Sequence, residues 1–215
     1  ESLEELAASL GCTARHLRRV FREEYRVSPV EYLQTCRLLL AKSLLTDTGL
    51  SVLEAAMASG FGSLRRFNAL FQARYHLSPT SLRRQTGGAV KQEGQGISLF
   101  LGYRPPYGWD RLLAFLALRA IPGVEAVREN AYYRTVRLVK RDGAEVCGWI
   151  KAENMPGQNA LRVTVSASLL AVLPQTLARV KELFDLSCDP NRICETLQTM
   201  DALKPGLCAP GVRVP

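Results

Sequence analysis

The 215-residue sequence predicts two unlike domains in tandem: an all-α domain over residues 1–85 and an α+β domain with an antiparallel sheet and helices over residues 97–215. Three observations predict it. A short helical unit occurs twice within the first 85 residues; residues 86–96 hold four glycines and few apolar side chains; and beyond Ile97 several segments alternate apolar with polar residues instead of following the helical period.

Taken in order, Ser2-Leu-Glu-Glu5 has the form of a capping box and opens a helix to about Leu10. Gly11-Cys-Thr13 turns the chain, and Thr13 caps a second helix with Leu17, Val20 and Phe21 expected inward and Arg15, His16, Arg18, Arg19 and Arg22 outward. Ser28-Pro29 starts a long helix to about Leu45, with Val30, Leu33, Leu40 and Leu44 as its apolar positions and Glu31 completing a capping box. Thr46-Asp-Thr-Gly49 ends it. Ser51-Val-Leu-Glu54 is a further capping box, followed by a helix, the turn at Gly60 and a helix capped by Ser63, whose inward face is Phe67, Leu70 and Phe71. Tyr25-Arg-Val-Ser28-Pro29 recurs as Tyr75-His-Leu-Ser78-Pro79, so the domain holds two copies of one helix-turn-helix unit joined by a strut.

The second copy carries Arg65 and Arg66 in the first turn of its final helix, with Asn68 on the same outer face. Positive charge there opposes the helix dipole at about 0.3 to 1 kcal/mol per charge. An anionic partner at that helix end supplies the compensation, and a double helix read from its major groove is the anion such units meet. A basic face that is merely solvated is the competing explanation.

Residues 86–96 read as a flexible linker. Ile97 to Tyr103 is a strand, Arg104-Pro-Pro-Tyr-Gly108 breaks it, and Trp109 to Ile121 is an amphipathic helix built on Leu112, Leu113, Leu116 and Ala120. Tyr132 to Lys140, Glu145 to Ala152 and Leu161 to Ala167 alternate as strands, the first two joined by the hairpin signal Asp142-Gly143. Leu170 to Phe184 is a helix on Leu173, Leu177, Val180 and Phe184, and Asp189-Pro190 begins another to about Met200.

The net charge is +8, and no acidic residue lies between Glu54 and Glu93, an interval containing Arg65, Arg66, Arg74, Arg83, Arg84 and Lys91. A single-sign run of this length points to phosphate. The absence of a signal peptide or long apolar span leads to the expectation of a cytoplasmic protein associated with the nucleoid and not with a membrane, and the missing initiator Met to that of a fragment. Cys12, Cys36, Cys147, Cys188, Cys194 and Cys208 never form a C-x-x-C pair, so free thiols are expected, with no metal and no cofactor.

Leu6-Ala-x-x-Leu-Gly11, Arg15-His-Leu-Arg-Arg-x-Phe21, Ser28-Pro29, Ala55-x-x-x-Gly60-Phe61 and Ser78-Pro79 resemble the DNA-binding domain of AraC/XylS-type transcription regulators. Leu39-Leu-Ala-Lys-x-Leu-Leu45 with Gly60 to Asn68 is most similar to the regulator segment of Ada-type alkylation-response proteins fused to a glycosylase. The resemblance implies DNA contact by Arg15, His16, Arg18 and Arg19 in one recognition helix and by Arg65, Arg66 and Asn68 in the other, the two helices being spaced by about 34 Å along the duplex. It also implies RNA polymerase as a further partner.

Leu101 to Trp109, Phe115-Leu-Ala-x-Arg119, Val124-Glu125 and Leu183 to Pro190 resemble the N-terminal domain of AlkA-type 3-methyladenine DNA glycosylases. The similarity runs to Lys204-Pro-Gly-Leu and Pro210, where the family's helix-hairpin-helix catalytic domain would begin, so the resemblance implies a missing glycosylase domain as the chain's partner and no catalytic residue here. Asp110, Asp142, Asp185, Asp189 and Asp201 lie in no hairpin-glycine context. By the same resemblance Phe115, with Tyr107 and Trp109 nearby, lines the cleft for an extruded base, although aromatics at a strand-helix junction also serve as core. Two other readings remain: an AraC-type regulator with a small-molecule effector domain, and a complete enzyme, for which no nucleophile-base set, phosphate loop or metal cluster is present.

Overall fold

The computed structural model describes residues 2–85, 96–140 and 142–199. The expected linker lies outside these residues except for Gly96, which already belongs to a strand. Six helices make up the first part: α1 Leu3–Ser9, α2 Ala14–Tyr25, α3 Pro29–Asp47, α4 Val52–Ala58, α5 Leu64–Tyr75 and α6 Pro79–Gln85. Capping boxes form as the sequence predicts at Ser2/Glu5, Ser28/Glu31 and Ser51/Glu54, each hydroxyl accepting the N–H that its partner carboxylate's residue donates. Both α2 and α5 end on a left-handed residue, Arg26 at φ 60° and His76 at φ 56°, so the duplication extends to the C-caps.

The two copies are not packed alike. Phe67 and Phe71 of α5 are fully buried, against Phe61 and the small residues of α4. In contrast α2 buries none of its residues: Leu17 and Phe21 are half-buried, and Val20, expected inward, is 41% exposed. The reason is side-chain size, because where the second copy places Phe61 and Phe67 the first has Cys12 and Leu17. Fewer carbons are available to fill the same angle between helices.

The strut also turns a different face inward from the one expected. Val30 and Leu33 are exposed and Leu40 is half-buried, whereas Leu38, Ala41, Leu44 and Leu45 enter the core. Only the C-terminal half of α3 has helices α4 to α6 to pack on, and there Leu44 meets its expectation.

The second part contains β1 Gly96–Gly102, α7 Trp109–Arg119, β2 Glu125–Arg128, β3 Ala131–Val139, β4 Glu145–Met155, β5 Ala160–Ser166, α8 Leu173–Leu183 and α9 Pro190–Gln198. All pairings are antiparallel, in the order β1-β5-β4-β3-β2. Ile97, Leu99, Ile150, Ala152, Leu161, Val163 and Val165 share the buried face, on which Trp109, Leu173, Val180 and Phe184 pack. β2 is an addition to the expected strands, and residues 167–172 form a 3-10 helix where the sequence suggests the first turn of α8.

Gly148 explains how that 3-10 helix fits. A Cβ at this position would meet the Ser166 hydroxyl and lie 2.6 Å from Leu169 Cγ, so only a glycine lets the segment lie on β4. Cys12, Cys36 and Cys147 carry free thiols, but Cys194 is disulfide-bonded, which corrects the expectation of free thiols throughout. No helix among the described residues is long and apolar enough to cross a membrane.

Candidate nucleic-acid interface

The electrostatic treatment of the helix N-termini separates α2 and α5 from α1, α3 and α4. Helices α1, α3 and α4 each begin with glutamate in the first turn, which compensates the positive end of the dipole. Neither α2 nor α5 has an acidic residue there. Their first turns bear Arg15 and His16, and Arg65 and Arg66, on exposed side chains. Thr13 Oγ1 accepts the His16 N–H at 3.2 Å and Ser63 Oγ accepts the Arg66 N–H at 3.4 Å, which fixes where each helix starts. Both ends are therefore left positive and open to solvent, the condition for holding an oxyanion.

Two carboxylates elsewhere in the domain are engaged at helix starts. Glu31 and Glu54 sit below the usual carboxylate range because backbone and hydroxyl donors of Ser28 and Ser51 hold their charged forms. They serve helix starts, Glu31 with a further contribution from the charge of Arg22.

Within the first unit, two of the predicted contact residues have protein partners. Arg18 Nη2 donates to Glu4 Oε1 of α1 at 2.9 Å, and Arg19 Nη1 lies 2.9 and 3.0 Å from the two oxygens of Glu23. Arg19 Nη2 also approaches His16 Nδ1 at 3.4 Å. All four ion-pair side chains are more than half exposed, so these pairs contribute little to the fold and exchange readily. In the second unit Arg65, Arg66 and Asn68 are exposed, and neither arginine has an ion pair among the described residues.

The sequence places Arg22 on the outer face of α2, but neither it nor Arg26 is expected as a contact. Arg22 and Arg26 join Arg18 and Arg19 around a cleft of about 460 Å³ that opens beside the N-cap of α3 at Ser28. The signal was present in the sequence, since Arg15, Arg18, Arg19, Arg22 and Arg26 repeat at helical spacing along one stripe.

In the second domain the three aromatics expected at a base cleft separate. Trp109 is 3% exposed and donates its indole N–H to the Asn130 carbonyl at 3.2 Å, which makes it core. Tyr107 is half-buried and donates its hydroxyl to the Phe184 carbonyl at 2.8 Å. Phe115 is 37% exposed, with the Arg119 guanidinium 4.4 Å from its ring centre, and Leu118 and Ile121 near it in sequence are exposed as well. Of the three, Phe115 alone offers a ring at the surface. Among the described residues no group of three or more His, Cys, Asp or Glu could hold a metal ion.

Residues 6–85 match the model of a helix-turn-helix domain, and residues 98–215 match that of the AlkA N-terminal domain. The chain is 31% identical, over 98% of its length, to a protein of Mycobacterium tuberculosis named as a probable bifunctional transcriptional activator/DNA repair enzyme AlkA. It is 35% identical over 52% of its length to DNA-3-methyladenine glycosylase 2 of Escherichia coli, and 34% identical over 37% to the transcriptional activator RhaS of Klebsiella pneumoniae. It spans 42% of the first of these relatives, 38% of the second and 29% of the third.

Proposed function

We propose, since the chain belongs to the AlkA N-terminal domain family and carries an AraC-type helix-turn-helix domain ahead of that module, that it binds duplex DNA and regulates transcription in the response to alkylation damage. The observation that carries the DNA reading is the pair of uncompensated, arginine-bearing helix starts on α2 and α5. Arg15, His16, Arg18 and Arg19 on one helix and Arg65, Arg66 and Asn68 on the other are the contacts this reading assigns. The first residues of each helix meet base edges, and the flanking guanidiniums hold phosphates.

The α+β domain takes a supporting part. Phe115 is the ring it can offer to an extruded base, and the glycosylase chemistry itself belongs to a helix-hairpin-helix domain outside this chain. RNA polymerase is the further partner that a transcriptional activator of this kind engages, and its place of work is the bacterial nucleoid.

Gel shift on duplex DNA tests the reading. The chain should retard duplex DNA and release no base from an alkylated one. On a specific site Arg19→Ala and Arg66→Ala should each cost about 1 to 3 kcal/mol. Unchanged binding in both variants, or base release by the chain itself, would contradict the assignment.

A further inference from the structure

The cleft of about 460 Å³ beside the start of α3 is lined by Arg18, Arg19, Arg22 and Arg26, and a single carboxylate, that of Glu23, lies among them. Arg19 Nη1 reaches both of its oxygens, at 2.9 and 3.0 Å, as a guanidinium nitrogen reaches two oxygens of a phosphate. The cleft also borders Ser28, the N-cap of the 19-residue α3, whose helix start is already compensated by Glu31. Arg18 already pairs with Glu4 and Arg22 lies within the field of Glu31, so Glu23 is the carboxylate that engages Arg19.

The repeat makes Glu23 conspicuous. At the fifty-residue offset that pairs Phe21 with Phe71, Arg15 corresponds to Arg65 but Glu23 corresponds to Ala73. Arg19 corresponds to Ala69, so the second unit lacks the whole pair, arginine and carboxylate together.

We infer that the Glu23 carboxylate is an internal stand-in for a DNA backbone phosphate, occupying the first unit's phosphate cleft until the duplex displaces it. This rests on the DNA reading above. Both side chains of the pair are well exposed, at 58% and 60%, so Arg19 can change partner without unfolding anything. The second unit then meets DNA with its arginines ready, and the first engages only by exchanging Glu23 for phosphate.

The test uses the full chain and a fluorescently labelled mixed-sequence duplex at low salt, read by anisotropy. Glu23→Gln should tighten binding about two- to five-fold, the range that follows from releasing one exposed ion pair. Glu24→Gln, which changes the net charge equally one position along, should tighten it less. In an Arg19→Ala background the advantage of Glu23→Gln over Glu24→Gln should vanish. If Glu23→Gln binds no better than Glu24→Gln, or keeps its advantage without Arg19, the stand-in is overturned. Failure of the DNA reading looks different: Arg65→Ala and Arg66→Ala would then leave binding of every variant unchanged.

Discussion

Glu153 shows how a single charged residue is held in the second domain. Burial works against its charged form, but hydrogen bonds from Arg162 Nε and Nη2, both at 3.1 Å, and Lys151 Nζ at 3.0 Å outweigh that, so its pKa is lowered. A carboxylate with a folded-state pKa below its unfolded value stabilises the fold above the unfolded pKa, and that contribution is lost as pH falls through the folded value. The protein should therefore lose stability below about pH 4.5. Glu153→Gln should be less stable than the parent at neutral pH and show a shallower acid decline, measured as urea midpoints across that range; an unchanged decline would remove Glu153 from the account. Tyr132 is the opposite case. Desolvation, with the hydrogen bond it gives to Glu125, pushes its hydroxyl up to about 12, so it stays a neutral donor at any working pH. At this level the sequence was most legible on the surface of the reading helices, because helical spacing alone sorts Arg65 and Arg66 from Phe67. It was least legible for Trp109 and Phe115, two aromatics on one helix whose burial depends on which strands lie beneath it.

The helices and strands carry two further tests. His76 holds a left-handed C-cap that glycine adopts without strain, so His76→Gly should stabilise the helical domain by about 0.5 to 1 kcal/mol in a thermal or urea melt. A destabilised variant would mean that the imidazole makes a contact of greater worth. Gly148→Ala should do the reverse, forcing the 3-10 helix off β4 at a cost of about 1 to 3 kcal/mol. A neutral substitution there would show that the segment yields. The helix starts of residues 1–85 were readable because capping is a local chemistry of three or four residues, whereas α8, which has no side-chain cap, begins three residues after its expected start. β2 was not, since Glu125-Ala-Val-Arg128 is too short to display a period and forms by pairing with β3. The inward face of α3 escapes sequence reasoning for a related reason: which apolar stripe is buried depends on where α4, α5 and α6 lie.

For the whole molecule, the charge is less lopsided than the basic run after Glu54 suggests. Residues 1–85 hold twelve Lys and Arg against eight Asp and Glu, and residues 86–215 hold sixteen against twelve, so each half contributes +4. Net charge therefore does not single out the helical domain as the DNA reader. Placement does, because Glu4, Glu5, Glu23, Glu31 and Glu54 serve helix starts and local pairs while Arg15, Arg65 and Arg66 crowd two helix ends without an ion pair among the described residues. The two parts also touch, α3 lying beside β1 and α4 beside the 3-10 helix, with buried side chains continuous between them. The most direct measurement of the central claim is the affinity of the chain for a mixed-sequence duplex as a function of salt. The account predicts that log K falls steeply with log salt, and that the Arg65→Ala/Arg66→Ala double variant binds more weakly, with a slope shallower by about 1 for each phosphate no longer neutralised. Binding that is insensitive to salt, or a double variant with the parent's affinity and slope, would contradict it.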